Sequence, residues 1–315
     1  MTHQDTATLR PLPAFLGTVA LALLDACAVT SHPAETPGHG QATSLAAVES
    51  TLATPGPVRV ETLTSADWQV DRSGLINLDH ERARHLHEGP EAIQIYFHVL
   101  HHPQRGLFMI DTGVARAILK PDDSPLSWPV TAAMNMEALK VHMTTADWLQ
   151  AQEQPLRAVF VTHLHLDHIM GLPDIPHDVP LYTGPHEAGD RAFMHMFVQG
   201  TNDRLLAGRA PLRTWKFSRE QQPGDLAAVD VLGDASVFAL HVPGHTPGST
   251  AFVVRTPDGP VLLVGDACHT RFGWDNDVEP GTFSRDQQQS AASLKALRDL
   301  AKRHPTMRVR LGHQE

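Results

Sequence analysis

The sequence predicts a mixed fold of the α/β or α+β type, and three observations predict it. Short apolar runs recur at residues 93–100, 107–110, 158–162, 237–242 and 261–264, each the length of a strand rather than a helix. They come in groups, with helical stretches interrupting them, instead of as one uninterrupted β pattern. The 315 residues are 42% hydrophobic and 19% charged, which is globular composition with enough length for a sizeable core.

From the N-terminus, Arg10 precedes an apolar run at residues 14–24, the length of an export-signal core and too short to span a bilayer. Two cleavage readings follow. Leu24-Asp25-Ala26-Cys27 is similar to a lipobox, in which Cys27 becomes lipidated and attaches the chain to a membrane, although Asp25 departs from the small or apolar residue expected there. Ala26-x-Ala28 suits an ordinary signal peptidase, and an uncleaved leader is the third reading. Residues 1–27 are thus expected to be a signal peptide, and the protein to be exported: periplasmic, a cell-envelope lipoprotein, or secreted. Residues 28–57, rich in Pro, Ala, Thr, Ser and Gly, lack periodicity and read as a flexible linker. The remaining residues, 58–315, form the functional domain.

Within that domain residues 58–64 alternate as a strand. The runs 93–100 and 107–110 flank His102-Pro103-Gln104-Arg105-Gly106, a hairpin signal, and Asp111-Thr112-Gly113 ends the second strand. Residues 134–152 read as a weakly periodic helix. The runs 158–162, 237–242 and 261–264 read as buried strands. Residues 286–303 form the best helix: Ser284 and Gln287 offer a capping box, Leu294, Leu297 and Leu300 or Ala301 line one face, and Pro305 follows its end. Residues 307–311 alternate as a last strand.

Charge and cysteine content narrow the function. A net charge of −10 argues against nucleic acid, which calls for a basic stripe. Two cysteines exclude a disulfide framework. The 21 histidines, one residue in fifteen, point to a metal site, a histidine-rich tail or compositional drift.

Position decides among these. Strand 158–162 runs into His163-Leu164-His165-Leu166-Asp167-His168. While the chain stays extended, alternate residues share a face, so His163 and His165 point the same way. A turn into helix then swings Asp167 and His168 toward a second point. Neutral imidazole and carboxylate suit zinc, with bonds of about 2.0 to 2.2 Å, and manganese, iron or cobalt fit the same donors. Three further strands end in Gly244-His245, Gly265-Asp266 and Gly312-His313, where glycine lets backbones approach closely. Five histidines and two aspartates are about what two ions sharing a water require.

In these motifs, in this order, the chain from about residue 58 onward resembles the metallo-β-lactamase superfamily. The resemblance implies an α+β fold: an αββα sandwich of two mixed β-sheets packed face to face with helices outside. It implies that His163, His165 and His245 hold one divalent ion, that Asp167, His168 and His313 hold the other, and that Asp266 bridges them. Asp111 matches a structural position near the site, and equally reads as a turn aspartate bonding its own backbone. Two ions roughly 3.5 to 4 Å apart would share a hydroxide that attacks an electrophilic carbonyl or phosphoryl centre, with Asp167 passing a proton to the leaving group.

Asp266 departs from the metallo-β-lactamases proper, which lack the bridging aspartate, and suits glyoxalase II, lactonases, phosphotriesterase-like members and some nucleases. Gly244-His245-Thr246-Pro247-Gly248-Ser249 is similar to glyoxalase II, but only Gln314 and Glu315 follow His313, where that family carries a glutathione-binding segment. The short interval from His245 to Asp266, the segment Asp266-Ala267-Cys268-His269-Thr270, and the helix leading into His313 resemble the N-acyl homoserine lactonases. The implied function is hydrolysis of a small-molecule lactone. The alternatives are a phosphotriesterase, a thioesterase, a β-lactamase-like enzyme or a metal-scavenging protein.

His269 stands where many lactonases place a substrate-contacting tyrosine. It reads as a catalytic hydrogen-bond donor, neutral or cationic, or as a histidine behind the site or on the surface. Cys268 reads as a small packing residue. Phe193, Met194, Met196, Phe197, Leu205, Leu206 and Trp215 lie in a loop-rich insertion, residues 183–217, and line an acyl-chain pocket or form ordinary core. Trp128 and Met134 to Met136 pose the same alternative.

Overall fold

A computed structural model describes residues 27–120, 122–218 and 226–315. The leader, with residues 14–24 and Asp25-Ala26, lies outside the described residues. Among those described, no helix is long and apolar enough to cross a membrane.

The strands are β1 (Ala34–Glu35), β2 (Gln41–Thr43), β3 (Arg59–Asp71), β4 (Pro90–His102), β5 (Gly106–Ile110), β6 (Lys140–Val141), β7 (Leu156–Phe160), β8 (Leu181–Thr183), β9 (Leu212–Thr214), β10 (Ala228–Asp230), β11 (Val237–His241), β12 (Thr250–Thr256), β13 (Gly259–Leu263) and β14 (Arg308–Arg310). They form an eight-stranded sheet, β1-β9-β8-β7-β5-β4-β3-β6, and a six-stranded sheet, β14-β13-β12-β11-β10-β2. Both are mixed: β7 is parallel to β5 and β8, whereas β3, β4 and β5 run antiparallel, and β13 is parallel to β14 but antiparallel to β12.

Alternation along the strands explains the layering. Ala158 and Phe160 of β7 join Phe108, Trp215, Phe252 and Leu263 in a core between the sheets. Val159 and Val161 point the other way, against Trp148, Leu205 and Leu206. On the outside of the second sheet, Leu294, Leu297 and Leu300 of the helix Gln287–Arg303 pack on Leu240, Val253 and Leu262. The result is the α+β, αββα sandwich expected from the resemblance.

The structure corrects three local expectations. Residues 28–57 are built into the domain. β1 pairs with β9 and β2 with β10, the helix Leu45–Thr51 buries Val48, and Val29 is buried against the first sheet. Strands of two or three residues carry no readable periodicity, and their partners lie more than 170 residues away. Residues 134–152 form a 3-10 turn, β6 and the short helix Thr145–Gln150, closed by a capping box of Thr144 and Asp147. The long helix is capped by Asp286, whose carboxylate accepts from the Gln289 amide, and not by Ser284 with Gln287.

Candidate metal centre

Four strand ends converge on one edge of the sandwich. Past β7, His163 and His165 leave an extended segment, and the turn Leu166–Ile169 carries Asp167 and His168. His245 follows β11, Asp266 lies in the turn Gly265–Ala267 after β13, and His313 follows β14. Ligand atoms of His163, His165, His245 and Asp266 lie within 4.8 Å of one another, as do those of Asp167, His168, Asp266 and His313. Asp266 belongs to both clusters. The sequence brings together all seven candidate ligands, and it divides them as the resemblance implies.

The chemistry of this donor set fits metal ions. His245 Nε2 lies 3.2 Å from His163 Nε2 and 2.9 Å from His165 Nδ1. Three ring nitrogens facing each other in a buried space present converging lone pairs, an arrangement that a cation satisfies and hydrogen bonds alone do not. His168 Nε2 and Asp266 Oδ1 are buried without a hydrogen bond, which asks for an explanation such as an ion. Burial holds His163 and His245 well below the usual histidine pKa, and His165 at about 4, so these rings stay neutral and ready to ligate. Burial also disfavours charge on His168 and His313, but the nearby carboxylates outweigh it: Asp266, Asp111 and Asp167 for His168, Asp266 and Asp167 for His313.

The outer ring atoms are anchored. The Nδ1 of His313 bonds the Gln94 carbonyl at 2.9 Å, and that of His168 bonds Asp111 Oδ2 at 2.8 Å. A donor role at Nδ1 leaves Nε2 as the inward acceptor, the usual orientation of ligating histidines. Asp111 therefore does more than close a turn. It adopts φ 56°, a region uncommon for non-glycine residues, and accepts from the Thr162 amide at 2.8 Å while holding His168.

His269 is fully buried at the cavity floor, and both its ring nitrogens face protein oxygens: Nδ1 the Leu75 carbonyl at 3.1 Å, Nε2 Asp266 Oδ2 at 3.0 Å. Cys268 packs in the core beneath the helix, and burial pushes its thiol up to about 12.

One residue that sequence reasoning passed over ties the site together. Glu187 is buried and accepts from the Leu164 amide at 2.8 Å, the Thr246 hydroxyl at 2.6 Å and the Gly248 amide at 2.9 Å. It thus joins the loop of His163 and His165 to that of His245. It sits alone in the insertion with no motif around it, and only the fold reveals its partners.

A cavity of about 460 Å³ opens above the clusters. Asp167, Asp266 and His313 lie at its floor, and Val29, Trp68, Ile93, Met134, Leu164 and Met194 supply apolar wall. In the insertion Leu205, Leu206 and Trp215 are core and Met194 lines the cavity, whereas Phe193, Met196 and Phe197 are exposed and fit neither reading. Met134 lines the cavity and Trp128 is exposed.

Gly312 tests how tightly the floor is built. A Cβ there would overlap Asp266 Oδ1 and meet the Gly265 carbonyl at 2.8 Å. Gly312→Ala is expected to lower stability by about 1–3 kcal/mol and to reduce bound metal, read by denaturant unfolding and metal analysis. Unchanged metal content would show that the floor yields without cost.

A two-sheet sandwich with two such clusters sharing Asp266 at its edge defines a protein built to hold a pair of metal ions. The family model of the metallo-beta-lactamase superfamily matches residues 92–313, and the chain belongs to that superfamily. It is 27% identical over 225 residues to an N-acyl homoserine lactonase, AttM, of Agrobacterium fabrum, covering 70% of this chain and 82% of that one. Among solved structures, a quorum-quenching N-acyl homoserine lactone lactonase superposes with a TM-score of 0.58 at 18% identity, over 83% of this chain and 93% of that one. A probable metal-dependent hydrolase from Staphylococcus aureus superposes with a TM-score of 0.60 at 16% identity, over 83% and 91% of the two chains. These structures share the fold. The chain is thus a metal-dependent hydrolase of that superfamily.

Proposed function

We propose that the protein is an exported dinuclear hydrolase that opens lactone rings of the N-acyl homoserine lactone kind. The observation that carries this reading is the pair of ligand clusters sharing Asp266 at the floor of an apolar-walled cavity. His163, His165 and His245 hold one divalent ion, zinc by donor type, and Asp167, His168 and His313 hold the other. Two such ions supply a nucleophile ionised near neutral pH and polarise a carbonyl.

The remaining steps belong to the chain. Asp167, whose Oδ2 lies 3.3 Å from His313 Nε2, is partly open to the cavity and carries a proton to the leaving alkoxide. His269 acts as a positioning residue: it braces Asp266 through Nε2 and is itself fixed on the Leu75 carbonyl. The apolar wall takes an acyl chain, while the small polar ring sits at the floor. The AttM relative supports the lactone assignment, and the apolar leader at residues 14–24 supports export.

The test is a substrate panel run with and without chelator, alongside metal analysis: homoserine lactones of short and long acyl chain, an aryl phosphotriester, a chromogenic β-lactam and a glutathione thioester. Lactone turnover that chelator abolishes, with two metals per active chain, is expected. Robust turnover of another class without lactone turnover would overturn the substrate, and one metal per fully active chain would overturn the dinuclear site.

A further inference from the structure

We propose that the exposed apolar rim formed by Phe193, Met194, Met196 and Phe197, with Trp128 on the neighbouring helix, docks against the surface of a lipid bilayer. Where the leader is lipidated at Cys27 or left uncleaved, the chain preceding Ala28 is its tether.

The rim is unusual for a soluble surface. Trp128 is 79% exposed, Met194 63% and Phe193 58%, and Phe197 and Met196 are nearly half exposed. Phe193 and Phe197 lie one helical turn apart, their ring centroids 6.0 Å from each other. The helix Trp128–Ala133 packs beside the helix His195–Leu206, with Ser127 Oγ 3.0 Å from Thr201 Oγ1. Scattered exposed apolar residues need no explanation, but a contiguous group of large ones marks an interaction surface.

The path of the chain names the occupant. Ala28 forms a β-bridge with Arg191, and the Val29 amide donates to the Asp190 carbonyl at 2.9 Å. Arg191 is two residues from Phe193, a span of at most about 7 Å. Whatever precedes Ala28 therefore leaves the domain beside the rim. In the sequence that is Cys27, in a lipobox-like setting, preceded by the apolar run 14–24. A lipid on Cys27 or the apolar run itself would bring the rim to the bilayer, where burying these apolar side chains adds to the attachment. The net charge of −10 opposes approach to anionic lipid, so the contact is one of apolar insertion into neutral lipid.

Met194 belongs both to the rim and to the wall of the cavity. The cavity mouth therefore borders the bilayer surface, and an amphiphile dissolved there reaches the floor along apolar side chains. That consequence rests on the lactonase reading, whereas the docking does not and is tested without activity.

The experiment uses the full chain with phosphatidylcholine vesicles whose acyl chains carry bromine, a quencher of tryptophan fluorescence at the depth of the lipid tails. Trp128 is the reporter, because Trp68, Trp148 and Trp215 are buried and Trp274 is half-buried. Quenching is expected in the parent, absent in Trp128→Phe, and reduced at least about twofold in the double variant Phe193→Ser/Phe197→Ser, which retains the tether. It should be insensitive to an about tenfold rise in salt, since screening acts on charges. Equal quenching in parent and Trp128→Phe, or in parent and double variant, would overturn the proposal. So would a parent dimer, in sedimentation without vesicles, that the double variant loses, since the face would then belong to a second copy. Trp128 emission already shifted to the blue and unchanged by vesicles would also overturn it, assigning the rim to the chain's own residues 14–24.

Discussion

Replacing Asp266 with asparagine is expected to remove bound metal and to lower kcat/KM by roughly a thousandfold, the equivalent of losing several kcal/mol of charge stabilisation at about 1.4 kcal/mol per factor of ten. The expectation follows from how many groups depend on one carboxylate. Its Oδ2 lies 3.0 Å from His269 Nε2, 3.3 Å from those of His168 and His313, 3.4 Å from that of His245 and 3.6 Å from that of His163. Burial alone would raise its pKa, but His313, His269 and His168 outweigh this and hold it well below the usual carboxylate range. These histidines thus favour its ionised form. Asparagine keeps the volume and loses the charge, removing from His168 and His313 the largest of the carboxylate influences that raise their pKa values. Removing one partner from a buried charge cluster costs about 3–5 kcal/mol, so the metal-free variant should also unfold at lower denaturant. Metal analysis, steady-state kinetics and unfolding read the three effects. A variant that kept two metals and parental kcat/KM would sink the shared role of Asp266.

The ligands were legible in the sequence because each one is a local event. An apolar run bounded by glycine ends a buried strand, and the ligand is the next residue or the one after: Gly244-His245, Gly265-Asp266, Gly312-His313. A strand buried on both faces must end where its backbone can turn at the sheet edge, so four such ends gather at one place. The supporting residues were not legible for the same reason inverted. Glu187 and Gln94 act on residues 23 to 219 positions away and nothing in their own neighbourhoods marks them, whereas Asp111 was marked by its place at a strand end but not by its partner His168, 57 positions on. The segment 28–57 misled because its strands β1 and β2 are too short to show alternation, and their order comes from edges offered by β9 and β10. For His269 the sequence offered a substrate contact or a histidine behind the site or on the surface, and a ring's partners are decided by packing: the Leu75 carbonyl reaches it from 194 positions upstream.

Glu187→Gln is expected to loosen the site without touching a ligand. The carboxylate has two oxygens and three donors: Oε1 accepts from the Leu164 amide, Oε2 from the Thr246 hydroxyl and the Gly248 amide. A glutamine amide replaces one oxygen with a donor, so at least one of these N–H groups then faces another N–H, at a cost of about 1–3 kcal/mol for a buried unpaired group. Gly248 is packed directly against this carboxylate: a Cβ on it would meet Glu187 Cβ at 2.6 Å. Leu164 sits between His163 and His165, and Thr246 follows His245, so the displacement reaches three ligands of one cluster. Loss of such a supporting bond lowers metal affinity by about 10–100-fold. A pH dependence separates this from a generic packing defect. Burial pushes the Glu187 carboxyl up to about 6 from its ordinary 4.5, against the pull of its three donors. A raised acid pKa means the folded chain holds the proton more tightly than the unfolded one. The group's contribution is therefore fully present below about pH 4.5 and is lost as pH rises through 6. At about 1.4 kcal/mol per unit this amounts to about 2 kcal/mol. In urea unfolding with chelator present, the stability gap between parent and Glu187→Gln should widen by about that amount as pH falls from about 7.5 to 4.5. A gap that stays constant across that range, together with parental metal affinity, would show that Glu187 neither titrates there nor braces the two loops.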